Sequence, residues 1–321
     1  VRSRTVHASA GRRRLTWLKP AACLAAAAVV VLLVLTLARA STGDHGPRTA
    51  DRVVRVPGNG RSFDLAWPRE GEAAVAVSGL GGLGASGSEE PVPIASLAKV
   101  MTAYLVLKDD PLGPGQEGFR IQIGPADVED LHRRMALGQS VVDVEVGESM
   151  SERQALEALL LPSANNVAAL LAVHEAGSVE AFVAEMNEAA AELGMRDTHY
   201  TDPSGFEDTT VSTAADQLKI GRAAMADPTF AQIVAMPSAL LPVAGEVTNL
   251  NGLLGHEGFV GIKTGSDEAA GGCLLFARRV HADGHTRTIL GAVLGQRDGD
   301  LIHAALTAAQ TLAASVTTAL R

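Results

Sequence analysis

Apolar positions are unevenly distributed along this chain. From Ala21 to Ala38 the sequence is uncharged and almost wholly apolar. Between Ser41 and about Gly60 it is rich in Gly, Pro, Asp and Arg without periodicity, the pattern of a tether. Regular patterning begins near Leu65. Ala73–Val77 reads as a short strand, followed by a turn-rich stretch from Ser78 to Ser88. Ala95–Leu107 has helical spacing, with Pro91 and Pro93 just before it and Asp109-Asp110-Pro111 just after it. Ile121–Gly147 is mixed. Glu152–Leu161 and Asn165–Ala176 read as two helices broken at Leu161-Pro162-Ser163, and Val179–Leu193 as a third stopped by Gly194. Thr213–Ala226 is a fourth, with Thr213 and Asp216 spaced as a capping box. Val260–Lys263, Gly272–Arg278 and Thr286–Leu294 read as strands, and Asp300–Leu320 as a closing Ala-rich helix. The order strand, helices, strands, helix predicts an α+β fold: a sheet with helices packed on it plus a mostly helical insert.

Composition narrows the classes. At 321 residues, 47% hydrophobic and 20% charged, the chain can bury a core without disulfide staples. Its formal net charge of -9 argues against a nucleic-acid-binding surface. That average hides a division: residues 1–40 carry Arg2, Arg4, Arg12, Arg13, Arg14, Lys19 and Arg39 and no acid, so the rest is more acidic than the mean. A basic cytoplasmic segment (1–20) before an apolar stretch (21–38) reads as a membrane-targeting element. As a helix it would run roughly 27 Å, close to a hydrocarbon core. Ala38-Arg39-Ala40 also has the small-x-small form of a cleavage site, so both a signal anchor and a signal peptide fit. Either exports the linker (41–64) and the domain that follows (65–321). Cys23 falls in the apolar segment and Cys273 in an apolar run of the exported part, which suits a buried small hydrophobe better than a disulfide.

Three short patterns carry candidate chemistry. Ser96 and Lys99 lie three apart at the start of a predicted helix and share a face. A lysine is a poor base near its ordinary pKa of about 10.4, so only burial or a neighbouring cation would make Lys99 one. Ser163-Ala164-Asn165 sits at the break between two helices, where Ser and Asn also serve as ordinary caps. Lys263-Thr264-Gly265 follows a strand, and alone could be no more than a strand end.

Together and in this order, Ser-x-x-Lys, Ser-x-Asn and Lys-Thr-Gly form the motif set of penicillin-binding proteins and active-site serine β-lactamases. The chain resembles the low-molecular-mass serine D-alanyl-D-alanine carboxypeptidases over about Leu65 to its end. Pro93-Ile-Ala-Ser-Leu-Ala-Lys-Val-Met-Thr-Ala103 and Leu159-Leu-Leu-Pro-Ser-Ala-Asn165 are similar to that family's first two motifs. Met186-Asn187, Leu193-Gly-Met195, Asp202-Pro-Ser-Gly205 and Ser212-Thr-Ala-Ala-Asp216 resemble its middle stretch. Gly261-Ile-Lys-Thr-Gly265 and Ala270-Gly-Gly-Cys-Leu274 resemble its third motif and the next strand. Departures are Ala164 and Asn166, where glycine and an acid are common, and the acidic Ser266-Asp267-Glu268. With a single closing helix in place of the C-terminal β domain and amphipathic anchor of many relatives, membrane tethering would be expected to fall to the N-terminal segment.

The resemblance implies a β-lactamase/transpeptidase-like fold, an antiparallel sheet flanked by helices with a mostly helical subdomain and a site at their junction. It implies that Ser96 is the nucleophile and Lys99 its base, with a pKa lowered by enclosure and by Lys263. Ser163 would relay a proton to the leaving amine, and Asn165 would hold Lys99 and the substrate backbone. Lys263 and Thr264 would bind the terminal carboxylate of a peptidoglycan stem peptide, Gly265 would permit close approach, and the amides of Ser96 and Ser266 would form an oxyanion hole. Neither metal nor organic cofactor is called for, and β-lactams would be covalent inhibitors. A β-lactamase, a transpeptidase or endopeptidase, and a penicillin-binding sensor with little turnover use the same motifs.

Other patterns carry less. Gly79-Leu-Gly-Gly-Leu-Gly84 matches a dinucleotide fingerprint but opens no helix, and reads as a hairpin turn. His281 and His285 flank Asp283-Gly284, a turn between strands. No His-Glu-x-x-His or Gly-x-Ser-x-Gly occurs.

Overall fold

The computed structural model describes residues 64–282 and 284–321. The expectations for the basic segment, the apolar segment and the linker up to residue 63 lie outside the described residues. Among those described, no single helix is long and apolar enough to cross a membrane.

Along the chain, β1 (Glu72–Val77) turns into β2 (Gly81–Ser86), and the short β3 (Val92–Pro93) leads into a 3-10 turn at Ala95–Ala98 and helix α1 (Lys99–Asp109). Next come β4 (Arg120–Gln122), α2 (Pro125–Ala136), β5 (Ser149–Ser151), α3 (Glu152–Leu160), α4 (Asn165–Ala176) and α5 (Val179–Glu192). β6 (Val211–Ser212), α6 (Ala214–Ala224), α7 (Pro228–Val234) and the hairpin β7 (Ser238–Leu241)–β8 (Gly245–Thr248) follow. The long strands β9 (Phe259–Asp267), β10 (Gly271–Ala282) and β11 (His285–Gln296) and helix α8 (Leu301–Ala319) complete the chain. The main sheet has the order β2-β1-β11-β10-β9 and is antiparallel throughout, so β9 and β2 are its edges.

Both faces of this sheet are covered, which explains why its strands read as unbroken apolar runs. Ala73, Val75, Leu274, Phe276, Ile289 and Val293 face a core shared with Ala309, Leu312 and Val316 of α8. The alternate residues Ala74, Cys273, Leu275, Leu290 and Ala292 face the helical side. The two-residue period of a strand makes that division. Helix α1 is buried on nearly every side, Val100, Met101, Ala103, Leu105, Val106 and Leu107 included, so it is a central helix rather than an amphipathic surface one. Each such fully enclosed Leu or Val stabilises the fold by about 1.5–3 kcal/mol.

Several expectations needed adjustment. Ala95–Ala98 is a 3-10 turn, not the first turn of the α-helix. The glycine-rich Gly81–Ser86 is a strand, because β1 supplies the pairing that its composition does not favour. Thr213 caps α6 by accepting from the Asp216 amide, but the reciprocal half of the predicted capping box is missing. The Asp216 carboxylate is instead occupied by the Asp197 amide, the Thr198 hydroxyl and Lys219. Helix α7 and the β7–β8 hairpin stand where the sequence pattern predicts no element. Cys273 is a buried free thiol, as expected, its pKa pushed up to about 12 by burial.

Candidate active site

Ser96 lies in the 3-10 turn and Lys99 opens α1. Side chains three apart eclipse in a 3-10 turn, and here Oγ and Nζ are 2.8 Å apart. Ala95, directly before the serine, has φ 45°, a left-handed conformation that a non-glycine residue holds only where its surroundings impose it. Those surroundings are the loop Asp202–Gly205. Gly205 has φ 76° and so little space that a Cβ would stand 1.7 Å from the carbonyl oxygen of Ala95.

The same loop fixes Lys99. Nζ donates to the Ser204 carbonyl at 2.8 Å, and the Thr102 hydroxyl donates to the Pro203 carbonyl at 2.7 Å. Asp202 organises the turn: Oδ2 accepts from the Ser204 amide, the Ser204 hydroxyl and the Phe206 amide, while Oδ1 accepts from Thr210 Oγ1. In the sequence Asp202-Pro-Ser-Gly205 stands only as part of the resemblance to the family's middle stretch, and nothing there assigns its carbonyl to Lys99, which is 105 residues away from Ser204.

The second motif occupies the break between α3 and α4. Ser163 has φ 70°, and it and Asn165 are 2% and 5% exposed. Ser163 Oγ and Asn165 Oδ1 have no hydrogen-bond partner within the protein, an arrangement that marks polar atoms waiting for one. Asn165 Nδ2 donates to Gln139 Oε1 at 2.9 Å. The expected hold of Asn165 on Lys99 is therefore not the arrangement found. The lysine hydrogen-bonds Ser96 and Ser204, and the asparagine amide is turned to Gln139. Asn166, the departure from an acidic residue, has a structural account: it accepts from the Val142 amide and donates to the Val142 carbonyl, and a carboxylate could do only the first.

The third motif lies on the edge strand β9, with Lys263 opposite Leu275 and Ser266 opposite Gly272 in the ladder. Lys263 is 1% exposed and donates to the Thr264 carbonyl at 3.1 Å, so its charge acts from an enclosed position. Gly265 passes against the Ser96 turn, while Ser266 is exposed. The acidic stretch after it is partly neutralised as a turn: Asp267 accepts from the Ala270 amide, and Arg297 donates to the carbonyls of Glu268 and Ala269.

Burial dominates the electrostatics. It holds Lys99 well below the usual lysine range, helped by the Lys263 charge and by Arg134, and opposed by Asp202. Burial likewise lowers Lys263 to about 7. A lowered pKa favours the neutral amine, the form that a general base requires.

An enclosed Ser–Lys pair beside a Lys-Thr-Gly edge strand is the arrangement of the penicillin-binding class of serine enzymes. Comparison with known proteins narrows the class. The family model for D-alanyl-D-alanine carboxypeptidases matches residues 73–296, and the chain belongs to that family. It is 40% identical over 185 residues to D-alanyl-D-alanine carboxypeptidase DacB2 of Mycobacterium tuberculosis, covering 56% of this chain and 59% of that relative. The chain thus spans about three fifths of that relative's length. It is 31% identical over 195 residues to a D-alanyl-D-alanine endopeptidase of Escherichia coli, covering 57% of this chain and 58% of that one. The crystal structure of the Streptomyces K15 DD-transpeptidase superposes with a TM-score of 0.68 at 26% identity, covering 78% of this chain and 98% of that one.

Proposed function

We propose that this protein is a serine D-alanyl-D-alanine carboxypeptidase that removes the terminal D-alanine from peptidoglycan stem peptides. The observation that carries the reading is the 2.8 Å contact between Ser96 Oγ and an enclosed, pKa-lowered Lys99. Ser96 would attack the carbonyl between the two terminal D-alanines while Lys99 takes the hydroxyl proton. The developing oxyanion would lie between the amides of Ser96 and Ser266. The C–N bond would then break, with the proton passing by way of Ser163 to the departing amine, and free D-alanine would leave. Water would hydrolyse the acyl-enzyme by the reverse use of the same groups.

Binding follows from the same elements. An edge strand offers unpaired backbone groups to an extended peptide, so the substrate would lie along β9. Thr264 and the Lys263 charge would meet its terminal carboxylate. The catalytic domain (65–321) would work outside the cytoplasm, tethered or exported through residues 21–38. β-Lactams would acylate Ser96.

The endopeptidase and transpeptidase descriptions of two of the relatives favour a second reading, in which another amine or a cross-linked peptide uses the same acyl-enzyme. One assay separates the readings. The protein is incubated with labelled penicillin and, separately, with an acylated Lys-D-Ala-D-Ala peptide in the presence and absence of an amine acceptor. D-Alanine release with hydrolysed product and a long-lived penicillin adduct supports the carboxypeptidase. Acceptor-linked product supports the transpeptidase, and rapid penicillin hydrolysis a β-lactamase. D-Alanine release that survives Ser96→Ala would overturn the assignment.

A further inference from the structure

Gln139 lies in the segment between α2 and β5, outside all three motifs. Its Oε1 is 3.1 Å from Arg134 Nη1 and 2.9 Å from Asn165 Nδ2. Amide orientations are read from hydrogen-bond networks, and this one leaves a single consistent solution. A guanidinium only donates, so Gln139 must turn its oxygen to Arg134. That same oxygen can then meet only the nitrogen of the Asn165 amide. The other end of Asn165, the buried and unpartnered Oδ1, is thereby fixed as an acceptor.

The network is anchored beyond the glutamine. Asp130 accepts from Arg134 Nε at 2.6 Å and also pairs with Arg133, so the orienting guanidinium is itself held on α2. The backbone around Gln139 is pinned to the second motif at two further points. The Asn165 backbone N–H donates to the Ser140 carbonyl at 2.8 Å, and the Asn166 side chain makes its paired bonds to Val142. Neither Gln139 nor Arg134 belongs to a motif, yet the run of hydrogen bonds that starts at Asp130 ends on a motif residue.

We infer that Gln139 is a positioning residue that sets the orientation of the Asn165 amide, so that Asn165 presents an oxygen, not a nitrogen, to the groups that react at Ser96. The inference deepens the peptidase reading and rests on it. Losing Gln139 frees the Asn165 amide to rotate, and a rotated amide would present a donor where the site holds an acceptor.

The test compares three variants by their rate of acylation by labelled penicillin, each read at the plateau of its own pH profile. Gln139→Met preserves size without an acceptor and should lower the rate about 10- to 100-fold. Gln139→Glu keeps an oxygen for both Arg134 and Asn165 and should fall by less than about threefold. Gln139→Lys sets a donor against donors and should be at least as slow as the methionine variant. Wild-type speed in Gln139→Met, or equal losses in the methionine and glutamate variants, would overturn the inference. A wild-type protein that forms no penicillin adduct and releases no D-alanine refutes the peptidase reading instead. In that case, or if the methionine variant fails to fold, neutron diffraction from the wild-type protein decides the orientation: deuterons on the Asn165 atom facing Gln139 support it, and deuterons on the opposite atom overturn it.

Discussion

Gly265 runs so close to the Ser96 turn that a Cβ placed on it would stand 3.0 Å from the amide nitrogen of Ser96 and 3.1 Å from the carbonyl oxygen of Ile94. Both neighbours are backbone and cannot swing aside. Gly265→Ala should therefore push β9 away from the 3-10 turn and open the gap between the amides of Ser96 and Ser266. Removing one oxyanion donor typically costs about 10²- to 10³-fold, and a partial displacement should cost at least about tenfold. Stopped-flow acylation by a fluorescent penicillin measures it; a wild-type rate would remove β9 from the proposed oxyanion hole.

The two lysines and Asp202 give opposite signs in one pH profile. Under the proposed mechanism acylation needs neutral Lys99, so the rate should rise with pH through the lysine's lowered pKa. Replacing Lys263 by methionine removes a repelling charge, raises the Lys99 pKa and moves this acid limb to higher pH. Asp202→Asn removes an attracting charge and moves the limb lower, while loosening the loop that presents the Ser204 carbonyl. Limbs that moved together, or not at all, would show that Lys99 is not the titrating base.

Lys263 should also carry a stability cost that depends on pH. Its folded-state pKa of about 7 lies below its unfolded value, so the unfolded chain binds more protons between about 7 and 10.5 and stability rises with pH across that window. Lys263→Met is expected to stabilise the protein by about 1–3 kcal/mol at pH 6, after allowing for the lost bond to the Thr264 carbonyl. The gain should shrink as pH approaches 10.5. Urea unfolding at both ends of the range checks the trend, and a variant less stable than wild type at pH 6 would contradict it.

Asn166→Asp replaces an amide that donates and accepts with a group that only accepts, at a position 2% exposed. The Val142 carbonyl loses its donor and a carboxylate is enclosed nearby. A loss of about 2–4 kcal/mol in unfolding free energy is expected, smaller at acid pH, where the carboxyl is protonated and can donate again. Parallel denaturation at pH 4.5 and pH 7.5 tests the sign.

Much of the fold was legible because its signals are local. The helix at Asn165 follows a proline-containing break, and the third helix ends at a glycine that adopts φ 72°. The long strands showed as apolar runs because both sheet faces are covered. The strand at Gly81–Ser86 was not legible, since its stability comes from its neighbour rather than its own residues. Nor was the missing half of the Asp216 capping box, which lost its carboxylate to Asp197, Thr198 and Lys219.

The candidate site divides along the same line. The chain alone placed Ser96 and Lys99 on one face, because residues three apart in a helical turn lie side by side. It also determined the order of the three motifs and hence the class of chemistry. Only the tertiary structure decided that Lys99 rests on the Ser204 carbonyl instead of on Asn165, that Gln139 turns the Asn165 amide, and that Lys263 is enclosed. Those contacts join segments far apart in sequence, and burial, which sets both lysine pKa values, is a property of everything packed around a side chain and of no short stretch of residues.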